Sequence, residues 1–250
     1  MIEKDLGFVL KRCNFRETSL ILTLYTARFG KISGICKGFY SGKREFSAHL
    51  DTFSLNEFVF YPKRNEIWLI SHADLVSDFF FLRKNLSKMK VAAFLFNLIE
   101  KTMPLWDVNY QIFNLMKYCL NLLSQEKEIK VLYLFLIKFL TLSGFKPELD
   151  HCICCESPLQ QESLFSVSRG GFVCRRCSYK IKDVQTISRQ ASRSLAYIQK
   201  TDFPLVLRLN PTAACQEDIF YILREFMSYH FDFGNTAYAG IFKIPQPAFK

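Results

Sequence analysis

Histidine, glycine and long apolar runs are all scarce in this 250-residue chain, and each scarcity removes a class of function. The four histidines, His49, His72, His151 and His230, pair with no plausible nucleophile motif. Among the ten glycines, Gly30, Gly34 and Gly38 have the wrong spacing for a phosphate-binding loop, and no Lys-Ser/Thr follows them. No catalytic constellation emerges, so the chain reads as a protein without turnover chemistry. The longest apolar run, Val131 to Leu142, is broken by Lys138 and is too short to span a bilayer. Met1-Ile2-Glu3-Lys4-Asp5 carries acids, and no small-residue cleavage site follows a short apolar stretch, which speaks against an export signal. A cytoplasmic location with no membrane partner is expected.

What is present is a globular composition: half the residues are hydrophobic and 22% are charged. The 26 phenylalanines are too many for a binding surface, so most belong to the core. The net charge of +10 attracts polyanions. Nine cysteines are an odd number, and five of them crowd between Cys152 and Cys177. Cys13, Cys36, Cys119 and Cys215 stand alone in apolar surroundings, where a buried thiol is the expectation.

The periodicity changes once along the chain. Leu6–Cys13, Ser19–Thr26, Lys31–Lys37, Thr52–Tyr61 and Glu66–Ser71 read as short strands separated by turn-like pieces. Five strands in this length fit a small barrel of the OB type better than a sandwich, which predicts an α+β protein with an OB-fold domain over residues 1–77. From Asp78 onward the spacing predicts helices over Leu86–Met103, Asn109–Leu123, Glu128–Leu142, Ser188–Gln199 and Gln216–Tyr229. Glu128–Leu142 is apolar nearly all round, as suits the central helix of a bundle, and Gly144 and Pro147 stop it. An α-helical domain over residues 78–250 is expected, with a cysteine module at about 150–180.

That module carries the most specific signal in the chain. Cys152 and Cys155 form one C-x-x-C and Cys174 and Cys177 a second, at a spacing suited to paired zinc knuckles. Two residues between cysteines let a tight turn aim both sulfurs at one point, and a second such turn completes a tetrahedron. Gly170 and Gly171 supply backbone freedom for the hairpin between them. Four protein ligands leave no position for an activated water, so the expected Zn2+ is single and structural. A thioredoxin-like redox site would need one pair on a βαβ unit, which this chain lacks. Cys154 is a spare thiol inside the first knuckle.

Two basic groups suit a polyanionic partner. Lys37, Lys43 and Arg44 sit at or after the end of the third predicted strand, with Phe39 and Tyr40 as stacking rings beside them. Arg169, Arg175, Arg176, Lys180, Lys182, Arg189 and Arg193 form the second group, with Asp183 the only acid among them. Arg175 and Arg176 lie between two expected metal ligands, on a turn that must face outward.

These features together resemble the RecO family of bacterial recombination mediators. The resemblance runs through Gly7-Phe8-Val9-Leu10, Arg16-Glu17-Thr18-Ser19-Leu20-Ile21-Leu22, Tyr25-Thr26, Gly30-Lys31 and Cys36-Lys37-Gly38. It continues through Leu142-Ser143-Gly144-Phe145-Lys146-Pro147, the first cysteine pair, Phe165-Ser166, Gly170-Gly171 and the second pair. It implies an N-terminal OB fold, a helical domain with the zinc module, and a role in DNA repair and homologous recombination. It further implies binding to single- and double-stranded DNA and annealing of complementary strands. RecR and the single-strand-binding protein would be partners, RecA would be loaded indirectly, and the protein would be cytoplasmic and nucleoid-associated. Only the four cysteines and Lys37 match motif positions; Lys43, Arg44, Arg175 and Arg176 come from local charge. Two rival readings are a zinc-containing adaptor that recognises acidic protein tails and a zinc-ribbon RNA-modification enzyme.

Overall fold

The structure is a computed structural model that describes residues 2–41, 50–63, 66–158 and 163–231. It divides into two compact units, Met1–Glu128 and Ile129–Lys250. Among the described residues, no helix is long and apolar enough to cross a membrane.

The first unit opens with five strands: β1 (Glu3–Phe15), β2 (Ser19–Thr26), β3 (Gly30–Cys36), β4 (Leu55–Tyr61) and β5 (Ile67–Ser77). They close into a barrel in the order β1-β2-β3-β5-β4, with β3 and β5 parallel and the other pairs antiparallel. This is the expected OB fold. Strand β1 serves two neighbours: Glu3–Phe8 pair with β4, and Gly7–Phe15 pair with β2. A register shift between Val9 and Lys11 bends the strand where it passes from one neighbour to the other. Alternate residues of β3 point inward, and Leu20, Leu22, Leu24, Ile32, Phe58, Phe60 and Ile70 fill the interior.

Several strand bounds shift: β1 runs Glu3–Phe15 where Leu6–Cys13 was expected, and β4 and β5 move for local reasons. The fourth strand begins at Leu55 and not at Thr52, because Ser54 N–H closes a turn onto Asp51 O and Phe53 has a positive φ. The fifth continues past Ser71 to Ser77, where β4 supplies the pairing that the weak alternation of His72–Ser77 does not announce. Cys13 is exposed and not buried, because the outer end of β1 pairs with β2 alone and stands away from the core. Cys36, Cys119 and Cys215 are buried as expected.

A 3-10 helix (Phe80–Lys84) leads to α1 (Leu86–Thr102) and α2 (Tyr110–Leu122). Asn85 and Asn109 start the two α-helices by accepting the N–H of Lys88 and Ile112 on their side chains, both at 3.0 Å. The outer face of the barrel is as apolar as its interior at one point. Phe8 is fully buried against Phe79, Phe96 and Phe113, at ring-centroid distances of 6.4, 5.7 and 5.1 Å. The two helices therefore pack with the barrel in one unit.

The second unit is built around α3 (Glu128–Leu142), whose residues Lys130–Ile137 are all buried. Its C-terminus is closed by Phe145 N–H on Leu140 O, with Gly144 at φ +85° supplying the left-handed turn. The remaining elements are β6 (Ser163–Ser166), β7 (Gly171–Val173), α4 (Arg175–Ser178), β8 (Val184–Ile187), α5 (Arg189–Lys200), α6 (Phe203–Val206) and α7 (Ala213–Phe231). The three strands make a sheet in the order β7-β6-β8. Lys138, the one break in the apolar run of α3, spends its ammonium on the carbonyls of Gln199 and Thr201 at 3.1 and 2.7 Å. It thus caps the C-terminal end of α5. Lys138→Met should leave those carbonyls unpartnered and lower unfolding stability by about 1–2 kcal/mol, read from the denaturant midpoint of the full chain.

Candidate metal centre and nucleic-acid surface

The first cysteine knuckle is anchored to the small sheet through the backbone. Ile153 N–H donates to Phe172 O and Phe172 N–H to Glu148 O, both at 2.9 Å. Cys152 N–H donates to Ser157 O and Glu156 N–H to Cys152 O, which closes the turn that aims Cys152 and Cys155 the same way. Gly171 is required here: a Cβ at that position would lie 2.7 Å from both Glu148 O and Ile153 Cγ2. Gly170, at φ +77°, makes the preceding turn. The second knuckle follows β7 directly, since Cys174 is the residue before α4 and Cys177 lies within it.

The structure brings Cys152, Cys155, Cys174 and Cys177 together, with all four sulfurs within 4.8 Å of one another. The Cys155 and Cys174 Sγ atoms are 3.7 Å apart. A tetrahedral thiolate site with metal–sulfur bonds of about 2.3 Å would place its sulfurs about 3.8 Å apart, so the donor set fits one ion. Among the described residues, no other group of three or more histidine, cysteine or carboxylate side chains is so placed. Cys154 is exposed and outside the set.

The surroundings favour the thiolate at Cys152 and Cys155. Burial opposes ionisation of Cys152, yet the N–H groups of Cys174, Cys154 and Cys155 outweigh it and bring the thiol down to about 6. The Cys174 N–H lies 3.3 Å from that sulfur. The Ser157 hydroxyl, 3.1 Å from Cys155 Sγ, holds the second thiol below its ordinary value. Hydrogen bonding with the Cys174 and Cys155 sulfurs pushes Cys177 up to about 12. Cys152, Cys155, Cys174 and Cys177 would hold a cation as thiolates, so binding of a metal there would release protons.

Arg175 and Arg176 occupy the first two positions of α4 and are both exposed. Beside them Tyr179 is 78% exposed, with the Lys180 ammonium 5.4 Å from its ring centroid. Asp183, the one acid in this basic stretch, is turned inward. Although partial burial opposes its charge, Ser168 N–H and the Ser166 hydroxyl, at 2.7 and 2.9 Å, hold its carboxyl below the usual range. His151 is exposed, with Nδ1 3.8 Å from Glu148 Oε1, and is not among the clustered donors.

On the barrel, Lys37 follows β3 and is exposed. Lys43 and Arg44 lie outside the described residues. Of the two rings expected to stack beside these cations, Phe39 packs partly buried against the barrel core, so it belongs to the interior. Tyr40 is exposed; its hydroxyl donates to Asn14 Oδ1 at 2.7 Å and lies 3.4 Å from Arg12 Nη2. Arg12 and Asn14 were not singled out from the sequence, because only the pairing of the β1–β2 hairpin with the exit of β3 brings them to Tyr40.

Both halves match known families in order. Residues 1–79 match the family model described as Recombination protein O N terminal, and residues 83–236 match Recombination protein O C terminal. The DNA repair protein RecO of Alkaliphilus metalliredigens is 28% identical over 239 residues, covering 93% of this chain and 95% of that protein. The DNA repair protein RecO of Caldicellulosiruptor saccharolyticus is 30% identical over 200 residues, 80% and 81% of the two chains. That of Syntrophus aciditrophicus is 30% identical over 178 residues, 70% and 69%. With a closed five-stranded barrel in the first matched segment and the four-cysteine cluster in the second, this chain belongs to the RecO family of DNA repair and recombination proteins.

Proposed function

We propose that the chain is a non-enzymatic recombination mediator that binds single- and double-stranded DNA and anneals complementary single strands. With RecR and the single-strand-binding protein as partners, it helps RecA load, and it works in the cytoplasm at the nucleoid. The observation that carries the DNA-binding part is the exposed pair Arg175 and Arg176, set between two clustered cysteines on a turn whose backbone is fixed at both ends. The cluster would hold one Zn2+ through Cys152, Cys155, Cys174 and Cys177. Four thiolates fill a tetrahedron, so the ion supplies rigidity and leaves no place for an activated water. Lys37, Lys43 and Arg44 would be the contacts of the barrel. We keep the division into an OB-fold domain, residues 1–77, and a helical domain, residues 78–250, as the functional one.

The test is binding of labelled single-stranded DNA over a range of salt. Affinity should fall with a log–log slope of about 0.7 per phosphate contacted. Charge reversal of Arg175 and Arg176 together should weaken binding at least about tenfold, equally for all sequences, and reduce that slope by about 1.4. Absence of binding even at low salt would sink the DNA-binding reading. The mediator reading is tested by annealing complementary strands coated with single-strand-binding protein. An uncoating or annealing rate no faster than without the protein would remove it.

A further inference from the structure

Beyond Lys37, the first unit carries a band of cations and rings that crosses from the barrel onto the 3-10 helix. It starts at the tip of the β1–β2 hairpin, where the Arg16 guanidinium lies 5.3 Å from the centroid of the exposed Phe15 ring. Arg12 and Tyr40 come next, 3.4 Å apart, and Tyr40 N–H on Thr18 O ties the loop that holds Lys37 to the same hairpin. Arg12 then reaches Asp51 Oδ1, and Arg83 Nη2 reaches Asp51 Oδ2 at 3.4 Å. At the far end, Arg83 and Lys84 flank the ring of Phe80 at 5.9 and 5.2 Å. Phe80 is 51% exposed, while its neighbours Phe79 and Leu82 are buried and fill the core.

Charge and ring alternate along this band in the way that single-strand grooves combine cations with stacking platforms. Its centre is the informative part. Two guanidinium groups from different elements converge on the two oxygens of one carboxylate, a geometry that serves a phosphodiester equally well. We propose that single-stranded nucleic acid leaves the Lys37 end of the barrel along this band. A phosphate displaces Asp51 from Arg12 and Arg83, and a base stacks on Phe80. Asp51 is then an internal competitor that occupies the arginines until a strand arrives. The proposal rests on the DNA-binding reading given above and adds to it a path and a competing group.

The sign of one substitution separates this from a structural ion pair. Binding of labelled oligothymidylate to the full chain should tighten about threefold to tenfold in Asp51→Asn, because no carboxylate then has to be displaced before a phosphate is bound. An ion pair that only supports the fold would give unchanged or weaker binding. Phe80→Ala should weaken single-strand binding about tenfold or more, as expected for the loss of one stacked base. Phe80→Leu, which keeps an apolar side chain, should lose nearly as much, and the melting temperature of each variant reports whether it is folded. Failure of Asp51→Asn to tighten binding, or of folded Phe80→Leu to weaken it, overturns the proposal while leaving DNA binding intact. No binding by the unaltered protein at low salt overturns the DNA-binding reading first.

Discussion

On the proposed Zn2+ site, Cys174→Ser should abolish metal binding and cost the second unit at least about 4 kcal/mol, a part of the roughly 10–16 kcal/mol that a structural zinc site supplies near neutral pH. The magnitude follows from how little else holds the module. Its strands β6 and β7 have four and three residues, and its first knuckle hangs on a handful of backbone hydrogen bonds around Gly171. Cys174 is also the residue from which α4 starts, so loss of its thiolate loosens the turn that presents Arg175 and Arg176. Metal analysis should give one zinc per chain for the unaltered protein and none for the variant. Amide exchange should accelerate in residues 148–187 while β1–β5 stay protected. A variant that loses its metal and keeps full stability would end the claim that the ion is structural.

Phe8→Ala should remove about 3–5 kcal/mol from the first unit and lower its melting temperature by roughly 10–20 °C. Phe8 is the ring through which the barrel meets its helices, in contact with Phe79 before α1, Phe96 within it and Phe113 in α2. The void would open between the elements and not inside the barrel. Exchange should therefore accelerate in α1 and α2 together with β1. If the helices kept their protection while the barrel alone loosened, the two would not form one cooperative unit. Phe8→Leu should cost less than half as much, since most of the volume is retained.

How much of this was legible in the sequence depends on the range of the interactions involved. The bounds of β2 and α3 are those read from the sequence, because each is a strongly apolar segment followed closely by turn residues or a glycine. The four cysteines were legible for a chemical reason: each pair is only three residues apart, and a tight turn is enough to aim both sulfurs. The sheet β7-β6-β8 was not, since strands of three and four residues carry no readable alternation and are defined by their partners. Cys13 was misjudged because Lys11–Phe15 pair with β2 alone in a hairpin end that is exposed throughout, and only barrel closure shows which part of β1 lies outside the core. The meeting of Arg12, Asp51 and Arg83 could not be foreseen, as it needs the barrel closed and the 3-10 helix docked.

The closure of β1 on β4 also has a consequence in time. Glu3–Phe8 find their partner only when Leu55–Phe60 have been made, and at about 5–20 residues per second a ribosome needs several seconds to deliver that stretch. Through that interval β1 has one unpaired edge, the kind of surface that captures other nascent chains. Glu3, Lys4 and Asp5 put three charges on this edge. Lys4 is answered across the β1–β4 seam by Glu57 at 2.6 Å, whereas Glu3 and Asp5 are met by Arg28 in the β2–β3 turn, at 3.6 Å and through its N–H at 2.8 Å. The Lys4 charge that repels strangers during synthesis is thus the one that fastens the seam once the barrel has closed.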